Sequence, residues 1–291
     1  MSRIIRALSV VFFAATMYLI LAEAVSPWLN LPSLGNIGFV LFFVLFSVFH
    51  CWAVEGPKRT AIFFTVSAIV TYAMEEVGVR SGLVFGAYHY SDMLGIKLGH
   101  VPVLIPLGWF MMIYPSRVVA KAILRTIDLR SIPGITVLAA LSAAVMSAWD
   151  LVMDPAMSTL AGNWLWEKGG IYFGVPRRNY LGWLLTTFLV YLLVGLFWRA
   201  GDRKSTATRT FAALPVIVYA FFAIRYVAMN AFPALQVVAV FSMGLPAFVA
   251  LIQIYMNRSV AGAPGPSFGT WDTTTVGSPV SLLPQNNAVS S

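Results

Sequence analysis

Residues 132–155 read IPGITVLAALSAAVMSAWDLVMDP, an apolar stretch that closes on two aspartates, Asp150 and Asp154. At a rise of about 1.5 Å per residue, a helix over 132–153 is long enough to cross about 30 Å of hydrocarbon. Ionisable side chains at such depth are costly and usually have a functional partner. The stretch therefore predicts a membrane-spanning helix with a candidate site at its end.

Other apolar stretches of this kind follow one another along the 291 residues. Hydrophobic residues make up 59% of the chain and charged residues 10%, whereas soluble domains carry about 25% charged residues. We predict an all-α fold, a polytopic membrane helix bundle of about eight transmembrane helices. Their approximate bounds are 7–25, 36–54, 60–74, 101–119, 132–153, 180–198, 211–229 and 235–256.

The Lys and Arg residues divide unevenly between the two sides of such a bundle. Cytoplasmic segments favour positive charge, so we predict a multi-pass protein of the cell membrane with both termini in the cytoplasm. The net charge of +8 then reflects topology and attraction to anionic membrane lipid, and no nucleic-acid partner is expected. The predicted cytoplasmic side holds Arg3, Arg6, Lys58, Arg59, Arg117, Lys121, Arg125, Arg130, Arg199, Arg203, Lys204, Arg209 and Arg258, and the other side Arg80, Lys97, Lys168, Arg177 and Arg178.

Two domains are predicted from composition. Residues 1–258 form the transmembrane helical domain, and residues 259–291, rich in Ser, Thr, Pro, Gly and Asn, form a disordered cytoplasmic tail. The long connections at 78–100 and 154–179 are rich in glycine and aromatic residues, and both lie on the non-cytoplasmic side. We expect the functional loops there.

Metal chemistry is not expected from the composition. Cys51 is the single cysteine, so there is no internal disulfide, and thiolate metal clusters are improbable. The three histidines, His50, His89 and His100, leave little material for a zinc site.

Polar residues of different spans converge at one depth. Glu23, Glu75, Asp150 and Arg225 each lie roughly 21 to 27 Å from the predicted cytoplasmic boundary when counted along helices. Charges are also cheapest near helix ends, so part of this agreement is expected by chance. We predict that the four side chains share the outer layer of the bilayer.

Asp150 and Asp154 are spaced i, i+4, which places them on one helix face. Two such carboxylates repel each other, and burial favours the neutral form of at least one, which would then be a proton donor. The plainer alternative is a helix end at which Asp154 meets interfacial water before Pro155. Asp150 lies one turn deeper, which favours a functional role.

Glu75 and Glu76 are adjacent and point about 100° apart on a helix. We expect one to face the site and the other to pair with Arg225 or Arg80. The sequence leaves open which of the two faces the site.

The loops at 78–92 and 163–183 alternate aromatic with polar residues between flexible glycines. They could fold back as a lid or a re-entrant loop. Single aromatics there fit an interfacial belt, whereas their density indicates a channel for a conjugated or isoprenoid chain.

Several of these segments together resemble a known family, the membrane carotenoid-biosynthesis proteins that include carotenoid 1,2-hydratases of the bisanhydrobacterioruberin and gamma-carotene type. The resemblance is good over 75–183 and elsewhere is limited to the pattern of spans. The segments are Glu75-Glu76-Val77-Gly78, GLVFGAYHY at 82–90, AWDLVMDP at 148–155, GIYFGVP at 170–176, Asn179-Tyr180 and Gly182-Trp183.

The resemblance implies an enzyme that adds water across the terminal C1–C2 double bond of a linear carotenoid through a tertiary carbocation. It implies no redox or metal cofactor, and partners that include membrane lipid and other enzymes of carotenoid biosynthesis. From the chemistry we assign the acid to Asp150 or Asp154 and the base to Glu75 or Glu76. The predicted substrate-binding residues are Tyr88, His89, Tyr90, Trp109, Trp149, Tyr172, Asn179 and Arg225.

Two rival functions remain open. An intramembrane prenyltransferase could use the Asp150/Asp154 spacing to hold magnesium and diphosphate, although a second aspartate-rich motif is missing from the sequence. A proton-coupled transporter or lipid-binding protein could relay protons through the acidic residues and hold an anion at Arg225.

Overall fold

A computed structural model describes residues 2–125, 127–199, 207–229 and 232–256. The predicted tail at 259–291, together with Arg203, Lys204 and Arg258, lies outside the described residues.

The described chain folds into eight long helices, which confirms the all-α prediction. Each helix is a largely apolar stretch, and Gly or Pro lies at or next to most of the helix ends. The helices are α1 Ser2–Val25, α2 Gly35–Glu55, α3 Pro57–Ser81, α4 Leu104–Ile123, α5 Ile132–Asp154, α6 Arg177–Trp198, α7 Arg209–Met229 and α8 Pro233–Met256.

Seven of the eight helices in the described part of the chain are long and apolar enough to cross a membrane. The remaining helix, α4, contains Arg117 and Lys121 and is mostly buried by its neighbours α2, α3, α5, α7 and α8. Arg117 is tolerated because protein, rather than lipid, surrounds it, whereas Lys121 lies near the end of the helix and is half exposed.

Some observed helices extend beyond their predicted bounds. The α3 helix begins three residues earlier than expected and ends at Ser81, where Gly82 adopts a left-handed conformation. The α5 helix does not stop at Pro155 but continues as a π-helical turn over Pro155–Leu160. Another π-helical turn, Val240–Gly244, interrupts α8. Such turns are frequent near functional sites.

Successive helices alternate in direction. The end of α3 meets the start of α4 through Glu75 and Trp109, and the end of α5 meets the start of α6 through Asp154 and Asn179. At the other end of the bundle, Lys121 of α4 reaches the last residue of α2. Helices α1, α3, α5 and α7 therefore end together, and we call this the site end; the other is the opposite end.

Two short antiparallel sheets lie in the loops at the site end. Strand β1, Tyr88–Tyr90, pairs with β4, Trp164–Trp166, so that the two predicted functional loops are joined directly. Strands β2, Lys97–Leu98, and β3, Val101–Pro102, form the second pair. In β1 the side chains alternate, with Tyr88 and Tyr90 buried and His89 exposed.

Candidate functional site

A cavity opens among the helix termini at the site end. Its volume is about 940 Å³, including the space at its mouth, and we call it the aromatic cavity. The ends of α1, α3, α5 and α7 contribute Glu23, Glu75, Asp154 and Arg225, and the start of α6 contributes Asn179. Most of the remaining lining is apolar, with Trp109, Trp149, Trp164, Trp166, Trp183, Tyr88, Tyr90, Phe85 and Phe222 among the aromatic residues.

Glu75 is held on the wall of this cavity by three donors. Its Oε2 accepts hydrogen bonds from the hydroxyl groups of Tyr88 and Tyr90, the latter at 2.8 Å, and its Oε1 accepts one from Trp109 Nε1 at 2.9 Å. Only 4% of Glu75 is exposed. A carboxylate that accepts three hydrogen bonds is held in one orientation and is satisfied as an anion.

Both tyrosines remain donors at ordinary pH. Burial, followed by the nearby Glu75 charge, raises the pKa of Tyr88 well above its usual value, and the same two causes raise the pKa of Tyr90. Their phenol protons therefore stay available to Glu75.

Asp150 and Asp154 both accept hydrogen bonds from the side-chain amide of Asn179. Asn179 Nδ2 donates to Asp150 Oδ2 at 2.9 Å and to Asp154 Oδ2 at 2.6 Å. Asp154 Oδ1 also accepts from Trp164 Nε1 at 3.0 Å. Both aspartates are almost fully buried, so two full negative charges sharing one neutral donor would be unfavourable.

The two aspartates differ in their access to the cavity. Asp154 lines it, whereas Asp150 lies behind it, fully buried. Within the described residues, Asp150 Oδ1 has no hydrogen-bond partner, and the same is true of the nearby Tyr180 hydroxyl. A buried oxygen without a donor is cheaper on a neutral carboxyl group than on a carboxylate, so this arrangement suits a proton held on the pair.

Aromatic rings form the apolar wall. Trp109 stacks on Trp183 with ring centroids 3.7 Å apart, and Trp149 meets Trp183 edge-on at 5.9 Å. Trp166 packs on Tyr88 at 5.0 Å. These rings would face a positive charge at the centre of the cavity.

Arg225 also lines the cavity, but it is already paired. Its Nη2 lies 2.6 Å from Glu23 Oε2, and its guanidinium group lies over the rings of Phe222 and Tyr226. Of the four residues expected at one depth, Glu23, Glu75 and Arg225 line this cavity together, whereas Asp150 lies behind it.

Besides Asp150, three predicted site residues do not line the cavity. Glu76 faces outward, where it pairs with Arg80 at 2.7 Å and accepts from the backbone N–H of His100 at 2.9 Å. The exposed His89 approaches Glu167 at 4.0 Å. Tyr172 donates to the backbone oxygen of Leu151 at 3.1 Å and does not line the cavity.

Four residues that line the cavity were not predicted as site residues: Trp164, Trp166, Trp183 and Glu23. Trp164 donates a hydrogen bond to Asp154, and Trp183 stacks on Trp109. One signal was present, because Tyr-His-Tyr at 88–90 and Trp-Leu-Trp at 164–166 share the alternation of a strand with one buried face.

In residues 2–125, 127–199, 207–229 and 232–256, no group of three or more His, Cys, Asp or Glu side chains could hold a metal ion. Asp150 and Asp154 instead share an amide N–H donor.

Residues 35–255 match the family described as carotenoid biosynthesis protein. The chain belongs to this carotenoid biosynthesis family. The match runs from the start of α2 to the last turn of α8, and it therefore covers the whole aromatic cavity except the α1 residue Glu23. It confirms the resemblance found in the sequence and extends it well beyond 75–183.

A curated relative of this family protein is the bisanhydrobacterioruberin hydratase of Haloarcula japonica. The two are 33% identical over 172 residues, which cover 56% of this chain and 57% of the relative. The chain thus spans somewhat more than half the length of that relative. No solved structure matches the present chain.

Proposed function

We propose that this carotenoid biosynthesis protein is a hydratase that adds water across the terminal C1–C2 double bond of a linear carotenoid. One observation carries the proposal: two buried carboxyl groups, Glu75 and Asp154, line the same largely aromatic cavity. The name of the Haloarcula japonica relative supports the reaction class.

Protonation is the first step. Asp154 donates a proton to C2, the less substituted carbon of the end-group double bond, and the π electrons form the new C–H bond. The positive charge is left on the tertiary carbon C1. Asp154 suits this role because it faces the cavity and shares Asn179 with a second carboxyl group that disfavours double ionisation.

The cation then lies among aromatic rings. Trp109, Trp149 and Tyr88 line the cavity, and each ring face turned toward a cation is worth about 0.5 to 2 kcal/mol. The Glu75 carboxylate adds a negative charge whose position is fixed in advance by its three donors, so little reorganisation is needed when the cation forms.

Water completes the reaction. A water molecule attacks C1, its oxygen forms the new C–O bond, and the proton that it loses passes to Glu75. One proton leaves Asp154 and one arrives on Glu75, so a transfer between them restores the enzyme. The product is a tertiary alcohol, and no oxidant or reductant is consumed.

Asp150 and Asn179 act through Asp154. The Asn179 amide orients the Asp154 carboxyl group, and Asp150 fixes the amide from behind. We therefore assign Asp150 a positioning role and Asp154 the role of proton donor.

The rival functions have less support. A prenyltransferase would need the oxygens of Asp150 and Asp154 for magnesium, but Asn179 and Trp164 donate hydrogen bonds to them. A transporter that holds an anion at Arg225 would first have to displace Glu23.

The protein spans a membrane as a multi-pass bundle, and we propose the cell membrane with both termini cytoplasmic. The alternating helices place the start of α1 and the end of α8 at the opposite end, where most Lys and Arg residues lie. The carotenoid would then react in the outer layer. Membrane lipid and other enzymes of the pathway are the proposed partners.

Carotenoid profiling in a pigment-producing host tests the proposal. Cells that make acyclic carotenoids such as lycopene would express the wild type or Asp154→Asn, or would carry an empty vector. The pigments would be separated by chromatography and their masses measured by mass spectrometry. We expect a product heavier by one water from the wild type alone. An unchanged profile on several acyclic substrates, with the protein shown to be in the membrane, would overturn the hydratase assignment.

A further inference from the structure

A second cavity lies at the opposite end of the bundle. Its volume is about 690 Å³, including the space at its mouth. Among the described residues that line it, one is acidic, Glu55, and five are basic, and we call it the basic cavity. The basic residues in its described lining are Arg59, Arg117, Lys121, Arg130 and Arg199.

Glu55 is shared among three of these cations. Its Oε2 lies 3.1 Å from Arg59 Nη1, and its Oε1 lies 3.5 Å from Lys121 Nζ. It also attracts Arg117 through space. Arg117 therefore has only part of the charge of one carboxylate, which two closer cations also use.

Arg117 is a buried cation of this cavity. It is only 7% exposed, and its guanidinium carbon lies 4.6 Å from the centre of the Trp198 ring. Among the residues that the structure describes, no hydrogen bond or ion pair to its guanidinium group is present. A guanidinium group stays charged in proteins, and burying a charge without a hydrogen-bonded counter-ion is costly.

The stacking on Trp198 suits an anion. An aromatic ring covers one face of a guanidinium group and leaves the N–H edge open, and that edge matches two oxygens of a phosphate group. Lys121 lies one helical turn further along α4, at the rim of the same cavity, with 47% of its side chain exposed. Leu129, Ile135 and Leu138 supply an apolar wall beside these charges.

The positive-inside rule explains why basic residues gather at this end, but not why one of them is buried. Residues that only follow the rule extend into water. We propose that the basic cavity binds a phosphate group, carried by the headgroup of an anionic phospholipid or by a soluble phosphate compound. This site is separate from the aromatic cavity and does not depend on the proposed reaction.

Thermal unfolding of the full-length protein in neutral detergent tests the proposal. Three ligands would be titrated: phosphatidylglycerol, phosphatidylcholine, and inorganic diphosphate against sodium chloride of equal ionic strength. We expect phosphatidylglycerol, diphosphate or both to raise the unfolding temperature of the wild type, and phosphatidylcholine to leave it unchanged. A response to phosphatidylglycerol alone assigns the site to the lipid headgroup, and a response to diphosphate shows that phosphate suffices.

Two charge-removing variants make the test specific. Arg117→Gln should need about tenfold more ligand for the same shift. Lys58→Gln removes one charge at the same end from an exposed residue outside the cavity, and it should respond as the wild type does. Should Arg117→Gln fail to fold, Lys121→Gln replaces it, since that side chain is half exposed.

The proposal fails if neither anion stabilises the wild type. It also fails if Lys58→Gln weakens the response as much as the cavity variant does, because the attraction would then belong to the surface as a whole.

Discussion

Tyr90 and Trp164 face each other across the β1–β4 pair, and each donates a hydrogen bond to a different carboxyl group of the aromatic cavity. Tyr90 holds Glu75, and Trp164 holds Asp154. The spacing of the two proposed catalytic groups is thus set by one strand register. Because side chains alternate along a strand, a slip by one residue would turn both donors away from the cavity.

Glu75→Gln should abolish hydration while the protein still folds. The amide cannot accept the proton of the attacking water or stabilise the cation as a carboxylate does, and loss of base assistance typically costs about 10²- to 10⁴-fold. The measurement is the amount of hydrated carotenoid per amount of membrane-inserted protein.

Glu76→Gln is the matched control for this variant, since it makes the same change one residue away. Glu76 faces outward to Arg80 and His100, so its product yield should stay within a few-fold of the wild type. Equal losses in both variants would contradict the assignment of Glu75.

Asp154→Asn and Asp150→Asn should differ in severity. Asp154 is the group that faces the substrate, so its replacement should cost about 10²- to 10⁴-fold. Asp150 acts through one hydrogen bond to Asn179, and weakening that bond by about 1 to 3 kcal/mol lowers the rate by about 5- to 160-fold. Product yields of the two variants at equal expression are compared; a larger loss in Asp150→Asn would reverse the two roles.

The helices and the meeting of Glu23, Glu75 and Arg225 could be predicted from the sequence, because each follows from span length and depth. Which of Glu75 and Glu76 faces the cavity could not. Adjacent helical residues differ by about 100°, and the rotation of α3 is fixed by its neighbours α4 and α6 rather than by its own sequence.

The β1–β4 pair was equally hard to predict. Each strand has three residues, and Tyr88 pairs with Trp166 across a long stretch of chain that contains two helices. Each segment alternates as a strand does, but three residues are too few to identify a strand, and nothing in the local sequence says which two segments pair. The role of Trp164 depends on this pairing and is therefore visible only in the folded protein.

Tyr90→Phe should weaken both stability and activity. The change keeps the ring and removes one of the three donors to Glu75, and a hydrogen bond to a charged group is worth about 1.5 to 3 kcal/mol. Tyr72→Phe is the control, because the Tyr72 hydroxyl meets the backbone of Leu98 at the exposed surface. Its unfolding free energy should change by less than about 0.5 kcal/mol. A smaller effect for Tyr90→Phe than for Tyr72→Phe would contradict the role of Tyr90.

Cysteine labelling should place the two ends of the bundle on opposite sides of the membrane. The native Cys51 is fully buried, so it adds little background. Asp92→Cys lies in the exposed loop at the site end, and Lys58→Cys lies at the opposite end. A membrane-impermeant maleimide should label Asp92→Cys in intact cells and Lys58→Cys only after lysis. The reverse pattern would invert the proposed topology.

Gly182→Ala should destabilise the protein and displace the donors of Glu75. A Cβ atom at Gly182 would lie 2.5 Å from Phe85 Cδ1 and 2.6 Å from the backbone oxygen of Val84, so the loop that carries Tyr88 must shift. Overpacking of this kind costs about 1 to 3 kcal/mol.

Gly108→Ala provides the contrast, because it adds the same methyl group to a helix of the same cavity. A Cβ atom there meets no atom within 4 Å outside its own helix. Replacing a helical glycine by alanine is worth up to about 1 kcal/mol, so Gly108→Ala should unfold at the wild-type temperature or above. Gly182→Ala should unfold at a lower temperature and yield less hydrated carotenoid. If Gly182→Ala is as stable as Gly108→Ala, the close contact between α6 and the Phe85 loop does not position the donors of Glu75.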